Sequence, residues 1–191
     1  MKKKHIITIA GQPGSGKSTT AKRVAAKLGF KHFSSGDLYR ELGKEQGIDI
    51  LRAISAPGVS EKIDRLVDGK LREIGANHDR IVIDSRLAWH WIPSSFKVFL
   101  DLDPKIGAQR ILKNMIKDRL TTENVPRNPN EYALELQNRL NSENNRYKTV
   151  YKIDMYDFRN YDLVVNTAEN NVEQAVEEVI NDFKNWLSWH S

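Results

Sequence analysis

Short apolar segments alternate with longer amphipathic ones along the 191-residue chain. The short segments are rich in β-branched and aromatic residues and are bounded by turn signals, which is typical of buried strands. They lie at residues 5–10, 31–33, 80–84, 96–102 and 161–166. Strands that alternate with helices predict an α/β fold, here a three-layer, doubly wound parallel sheet of five strands.

Between the strands, apolar residues recur three and four positions apart, as they do on one face of a helix. A helix is predicted at residues 17–28 and should end at Gly29. Others are predicted to begin at Ser35 and at Pro104, the latter reaching about residue 118. Three more helices should bury the following stripes: Ile63, Leu66, Val67, Leu71 and Ile74; Leu136, Leu140, Tyr147 and Tyr151; Val172, Val176, Val179, Phe183 and Leu187.

The composition predicts one domain over residues 1–191 that lies in the cytoplasm. The chain has no cysteine, which excludes disulfides, thiolate metal sites and cysteine nucleophiles. No apolar run approaches the roughly 20 residues that span a bilayer, so no membrane association is expected. The net charge of +5 suits polyanionic ligands, either nucleotides or nucleic acid; the alternative is a basic surface that only keeps the protein in solution. A break between helices is predicted at residues 50–58 and a loop at 120–130. Trp186 and Trp189 should pack inside the protein or cover an interface.

The loop after the first predicted strand carries the clearest chemical signal. It satisfies the pattern G-x-x-x-x-G-K-[ST], in which glycines let backbone N–H groups point at phosphates and the following helix adds its positive end. Lys17 supplies a cation for the β- and γ-phosphates, and the Ser18 hydroxyl suits Mg²⁺. The predicted ATP-binding residues are Gly11, Gln12, Pro13, Gly14, Ser15, Gly16, Lys17, Ser18 and Thr19. This P-loop alone does not distinguish GTPases, ATPase motors and small-molecule kinases.

Polar residues at two further strand ends favour a kinase. Asp37 and Arg40 follow the second strand, and Asp84 and Arg86 follow the third. In a P-loop protein, a carboxylate at the position of Asp84 holds Mg²⁺ directly or through water. Two arginines from adjacent strand ends can grip one acceptor phosphate, although each could instead form a surface salt bridge.

A third basic group lies further along the chain. Arg119 borders the proline-containing loop, while Arg139 and Arg146 are seven residues apart and therefore share one helix face. Such arginines can spread positive charge over a phosphoryl group in transfer, and a loop that moves with them would exclude water. The alternative is that all three are solvated charges.

Several motifs in order resemble the compact cytidylate kinases of archaeal type, over residues 6 to about 179. They are the P-loop with Pro13, Ser34-Ser35-Gly36-Asp37-Leu38-Tyr39-Arg40, Ile83-Asp84-Ser85-Arg86-Leu87-Ala88-Trp89, Arg139…Ser142-Glu143…Arg146-Tyr147…Tyr151-Lys152-Ile153-Asp154, and Tyr161-Asp162-Leu163-Val164-Val165-Asn166-Thr167. The resemblance implies the nucleoside-monophosphate kinase fold with sheet order 2-3-1-4-5. It also implies a mobile monophosphate-binding insert at about 35–76, a lid at about 114–135, and the reaction of ATP with CMP or dCMP.

The resemblance also implies roles for individual arginines. Arg40 and Arg86 would hold the phosphate of CMP, and Arg110 would lie against the adenine ring of ATP. Arg139 and Arg146 would hold phosphates in the closed state.

The sequence departs from the family pattern at three places. The family usually carries Glu-Gly-Arg after strand three, where this chain has Asp84-Ser85-Arg86. Asn114 stands where many such kinases have a lid arginine, so Arg119 or Arg127 could substitute. The segment 120–130 is longer than a typical short lid.

The base that the site prefers depends on residues after Pro57. Cytosine needs an acceptor for its amino group and donors for O2 and N3. Asp64, Arg65 and Asp68 flank an apolar stripe, and Asp64 is the preferred partner for the N4 amino group. The alternative is a surface pair of carboxylates with Arg72 nearby.

Other functions remain open from the sequence. The same fold serves adenylate, UMP, shikimate and dephospho-coenzyme A kinases. A non-catalytic nucleotide- or nucleic-acid-binding module is a further alternative, although no RNA-binding or helix-turn-helix signature is present. No stable nucleic-acid partner is expected, and a monomer is expected rather than a homodimer.

Overall fold

The computed structural model describes residues 4–45, 59–114 and 128–189. The strands are β1 (Ile6–Gly11), β2 (Lys31–Ser34), β3 (Ile81–Asp84), β4 (Phe96–Asp101) and β5 (Leu163–Asn166). The helices are α1 (Lys17–Leu28), α2 (Ser35–Glu45), α3 (Val59–Asn77), α4 (Ala88–Trp91), α5 (Pro104–Asn114), α6 (Pro129–Tyr151) and α7 (Val172–Trp189), with a 3₁₀ turn at Phe158–Asn160.

The strands form one parallel sheet in the order β2-β3-β1-β4-β5. This confirms the predicted fold class and the sheet order that the resemblance implied. The central strand β1 is buried at every position and pairs with β3 on one side and β4 on the other. All carboxyl ends therefore lie at one edge of the sheet, where ligands of such folds collect.

Successive residues of β1 point to opposite faces, and each face has its own helices. Ile7 and Ile9 pack in one cluster with Val24 of α1 and Phe183 of α7. Ile6 packs in a second cluster, which contains Ile63, Val67 and Leu71 of α3. The three layers follow from this alternation. Within the described ranges, no helix is both long enough and apolar enough to cross a membrane.

The observed elements differ from the predictions at a few positions. Leu66 was placed on the buried stripe of α3 but is 46% exposed, so that assignment is wrong. Trp186 contacts the rings of Phe96 and Phe183, whereas Trp189 is 86% exposed. The short α4 and the 3₁₀ turn had no periodic signal that could predict them.

The start of α6 explains part of the predicted loop 120–130. The Asn128 side chain accepts a hydrogen bond from the backbone N–H of Asn130 at 2.9 Å, and a proline occupies the first helical turn. The helix therefore begins inside the segment that was predicted to be loop. Residues 120–127, the predicted break at 50–58 and residues 115–118 of the predicted α5 lie outside the described residues.

Close backbone contacts fix the P-loop between β4 and α5. A Cβ atom on Gly11 would lie 2.4 Å from the Leu100 carbonyl oxygen. A Cβ atom on Gly14 would lie 2.6 Å from the carbonyl oxygen of Gly107 in α5, and one on Gly107 would lie 2.5 Å from that of Pro13. Gly14 also has a left-handed φ of 78°. These glycines are required because backbone meets backbone with no room for a side chain.

We predict that Gly107→Ala displaces the P-loop. The added methyl group must push the Pro13 carbonyl aside, so the free energy of unfolding should fall by about 1–3 kcal/mol and ATP should bind more weakly. Urea denaturation and nucleotide titration measure the two effects. Gly69→Ala is the matched control, because Gly69 is an exposed residue of α3 and nothing lies within 4 Å of its added Cβ. It should stabilise the protein by up to about 1 kcal/mol. An unchanged affinity and stability in Gly107→Ala would contradict the prediction.

Candidate active site

The P-loop borders a cavity of about 620 Å³ at the carboxyl edge of the sheet. Gly16 caps α1 with a left-handed φ of 84°, so the chain turns sharply into the helix at Lys17. Lining residues outside the loop and α1 come from α5, α7 and the segment before α7: Arg110, Ile111, Asn114, Thr167, Asn170, Asn171, Val172 and Ala175. This volume is in the range of small-ligand pockets.

Arg110 reaches this cavity from α5. Its guanidinium donates a hydrogen bond to the Thr167 carbonyl oxygen at 2.8 Å. This bond orients the guanidinium across the gap between α5 and the segment after β5. A planar cation at the wall of the cavity can stack on a flat aromatic ligand.

The end of β3 meets the start of α1 at the floor of the cleft. The Ser18 hydroxyl donates a hydrogen bond to Asp84, and the Lys17 ammonium lies 3.9 Å from the same carboxylate. Asp84 is 5% exposed. The structure thus brings together three of the residues that were predicted to act on phosphates and Mg²⁺.

Lys17 lies among charges of both signs. Burial lowers the pKa of its ammonium group; Asp84 and Glu143 raise this pKa, while Arg86 and Arg139 lower it, and the net shift is downward. Because the interaction with Arg139 reaches Lys17, α6 contributes a positive charge to the neighbourhood of the P-loop. Arg139 itself is partly buried, and burial together with Arg86 lowers its pKa.

Arg86 has a partner that the sequence did not predict. One of its terminal nitrogens, Nη1, hydrogen-bonds to both carboxylate oxygens of Glu143, and the Tyr147 hydroxyl donates to Glu143 Oε1 at 2.8 Å. Burial acts to lower the pKa of Arg86, whereas Glu143, Tyr147 and Tyr156 raise it, and the net shift is upward. Burial acts to raise the pKa of Glu143, whereas Arg86, Tyr147 and Arg139 lower it, and the net shift is downward. Both groups are therefore charged at neutral pH.

Arg146 lies on the same face of α6 as Glu143. Its partner is a different carboxylate from the one that Arg86 contacts. Its Nε donates to Asp64 Oδ2 at 3.1 Å, and the Tyr39 hydroxyl donates to Asp64 Oδ1 at 3.1 Å. Asp64 is 8% exposed. Burial raises the pKa of its carboxyl group, against the opposing effect of Arg146. Helices α2, α3 and α6 therefore meet at this carboxylate.

The second aspartate of α3 also lies inside the protein. Asp68 accepts hydrogen bonds from Trp91 Nε1 at 2.8 Å and from the Tyr151 hydroxyl at 2.5 Å. The guanidinium of Arg72 lies over the Trp91 ring at 4.2 Å from its centre. The alternative of a surface carboxylate pair is thus wrong, since Asp64 and Asp68 are both buried. Arg65, on the same helix, is exposed.

Arg40 occupies the first part of α2. Its guanidinium is hydrogen-bonded to Asp37, and this bond lowers the pKa of the Asp37 carboxyl group. Both side chains are about 60% exposed. An exposed i,i+3 pair is weak, so an incoming phosphate can compete for the guanidinium at little cost.

Some predicted site residues cannot be placed. Arg119 and Arg127 lie outside the described residues, as does part of the predicted lid at 114–135. Asn114 is the last residue of α5 and lines the cavity. The predicted insert at 35–76 includes α2 and nearly all of α3, with residues 46–58 outside the description.

The structure adds site residues that sequence reasoning did not assign a role: Glu143, Tyr147, Tyr39 and Gly107. For Glu143 a signal was present. It lies between Arg139 and Arg146 at helical spacing, so one carboxylate shares a face with two arginines. For Tyr39 and Gly107 the partners are distant in sequence, and no local pattern reveals them.

Three or more clustered His, Cys, Asp or Glu side chains could hold a metal ion by themselves. Within 4–45, 59–114 and 128–189, no group of three or more His, Cys, Asp or Glu side chains has that arrangement.

Sequence comparisons identify relatives of this chain. The model of the family described as AAA domain matches residues 10–125. A cytidylate kinase of Haloarcula marismortui is 39% identical over 85% of this chain and 81% of its own length. A cytidylate kinase of Archaeoglobus fulgidus is 33% identical over 91% of this chain and 92% of its own length.

Structural comparisons agree on the fold. A gluconokinase from Sinorhizobium meliloti has a TM-score of 0.63 at 15% identity, covering 100% of this chain and 99% of that one. A shikimate kinase from Bacteroides thetaiotaomicron has a TM-score of 0.61 at 16% identity, covering 92% and 96%. At such identity these two show the P-loop kinase fold alone. The sequence identity over nearly full length, together with the fold, shows that the chain belongs to the cytidylate kinase family.

Proposed function

We propose that this protein transfers the γ-phosphoryl group of ATP to CMP or dCMP. A phosphate oxygen of the acceptor bonds to the γ-phosphorus while the bond from that phosphorus to the β-γ bridging oxygen breaks, giving ADP and CDP or dCDP. The observation that carries the proposal is the meeting of two basic regions at the end of β3. The P-loop with Lys17 lies on one side, and Arg86 lies two residues beyond Asp84 on the other.

ATP fits the P-loop side of the cleft. The backbone N–H groups of the loop and the N-terminus of α1 would hold its phosphates, and the 620 Å³ cavity would take its nucleoside. Arg110 would lie against the adenine ring. A cavity that extends from the loop between α5 and α7 supports a nucleotide over a small anion.

The oxygen donors beside the loop fit Mg²⁺. Ser18 and Asp84 already lie within hydrogen-bonding distance of each other and offer two hard ligands. Mg²⁺ is commonly held by one or two protein oxygens, with phosphate oxygens and water completing its octahedron. When bound, the ion would neutralise charge on the β- and γ-phosphates.

The acceptor phosphate fits the arginine side. Arg86 comes from the end of β3 and Arg40 from the helix that begins at the end of β2, so both can approach one dianion. Arg139 lies close enough to lower the pKa of Lys17 and would stabilise the moving phosphoryl group. Phosphoryl transfer depends mainly on such positioning and charge rather than on a strong base.

Asp64 and Arg146 offer a basis for choosing cytosine. The Asp64 carboxylate would accept from the N4 amino group, while Arg146 would donate to N3 or O2. Uracil presents O4 in place of the amino group, and an oxygen opposite a carboxylate is repelled. The adjoining Tyr39 holds the carboxylate in place.

We predict that the wild type forms ADP faster with CMP or dCMP than with UMP, AMP, GMP or shikimate in a coupled assay.

Lys17→Met should lower kcat by several orders of magnitude, because charge stabilisation at the phosphates dominates catalysis. Lys184→Met, at an exposed position of α7, is the control and should leave kcat unchanged. If CMP produced no more ADP than a reaction without acceptor, the proposed reaction would be wrong.

We predict that Asp64→Asn reduces selection of cytosine over uracil. An amide can donate to O4 and no longer requires an amino group, so the ratio of kcat/KM for CMP to that for UMP should fall by about 10- to 100-fold, equivalent to ~1–3 kcal/mol. Steady-state kinetics with both nucleotides measure this ratio. Asp68→Asn is the matched control, because Asp68 is equally buried on α3 but is bonded to Trp91 and Tyr151. An unchanged ratio in Asp64→Asn would rule out its role in base selection.

A further inference from the structure

In the Arg86–Glu143 pair, only one nitrogen of the guanidinium contacts the carboxylate. Both carboxylate oxygens contact Nη1. Among the described residues, no hydrogen-bond partner is found for Nε or Nη2 of Arg86. These two nitrogens form one edge of the planar group and carry parallel N–H donors, the arrangement that binds two oxygens of a phosphate.

The carboxylate lies deeper than the guanidinium. The Glu143 side chain is 6% exposed and that of Arg86 is 26% exposed, so a ligand from solvent meets the arginine first. Tyr147 donates to Glu143 at 2.8 Å and is itself 6% exposed. The chain of contacts therefore runs from the buried tyrosine through the carboxylate to the arginine at the cleft.

We propose that Glu143 is a positioning residue for the acceptor phosphate, acting through Arg86. It holds Nη1 from the buried side and thereby turns the Nε–Nη2 edge towards the place of the acceptor phosphate. This inference rests on the proposed function, since it requires a monophosphate acceptor.

Energetics argue against a purely structural pair. A buried ion pair contributes little to stability compared with apolar side chains of the same size, because both charges lose their hydration. Arg86 and Arg139 also lower the pKa of Lys17, and Arg86 lowers the pKa of Arg139, as neighbouring positive charges do. Glu143 is the carboxylate that contacts Arg86 in this group, and it allows that arginine to stay ordered before the phosphate arrives.

The test is the kinetics of Glu143→Gln, which keeps the shape but removes the charge. KM for CMP should rise about tenfold or more because the guanidinium loses its orientation, while kcat and KM for ATP stay within about twofold of wild type. KM for dCMP should rise by the same factor, since the two acceptors share the phosphate. Tyr147→Phe, a milder change, should raise both KM values in the same direction by a smaller factor.

A double-mutant cycle identifies the residue through which Glu143 acts. Once Arg86→Ala has removed the guanidinium, adding Glu143→Gln should not raise KM for CMP further. Circular dichroism and thermal melting check that each variant is folded, and Tyr147→Phe keeps the test available if Glu143→Gln does not fold.

Three different outcomes would contradict the inference about Glu143. A lower melting temperature with unchanged KM for CMP and dCMP in both single variants would make the pair structural and overturn the inference. A rise confined to CMP would indicate contact with the 2′-hydroxyl and overturn it as well, while leaving the proposed function intact. A wild type that phosphorylates no monophosphate would overturn both proposals.

Discussion

The position of β1 at the centre of a parallel sheet is the constraint on which the site depends. The strand is buried throughout and paired on both sides, so the loop that follows it starts from a fixed point. Gly11 lies against the Leu100 carbonyl and Gly14 against Gly107, which leaves the loop little room to adopt another path. A phosphate-binding loop needs such preorganisation, because its N–H groups must already point inward when the ligand arrives.

The charged side chains around this loop are paired with one another. Asp84 faces Lys17 and Ser18, whereas Glu143 faces Arg86, so each carboxylate is paired with cations that a nucleotide phosphate would also attract. Without nucleotide, these pairs reduce repulsion among neighbouring cations. In the proposed complexes, phosphate oxygens would take over part of that role, which would link ligand binding to the packing of α6 against the sheet.

Elements governed by local patterns were predictable from the sequence. The apolar runs predicted the strands, and the fixed spacing of the P-loop motif identified Lys17 and Ser18 as candidate site residues. Both signals lie within a few adjacent residues. Contacts between distant segments were not predictable. Arg86 meets Glu143 across 57 positions and Asp64 meets Arg146 across 82, so neither sequence neighbourhood contains its partner. Leu66 was misassigned because a wide helical stripe cannot reveal which edge residue faces solvent.

In the proposed reaction, one cleft binds both nucleotides with their phosphates adjacent. Inhibition by cytidine and adenosine joined through five phosphates tests it most directly, because such a molecule fits only if both sites open onto the end of β3. We expect competitive inhibition against both ATP and CMP, with an affinity above that of either nucleotide, since the second half binds without a separate association cost. Competition against ATP alone, with no effect of CMP concentration, would contradict it.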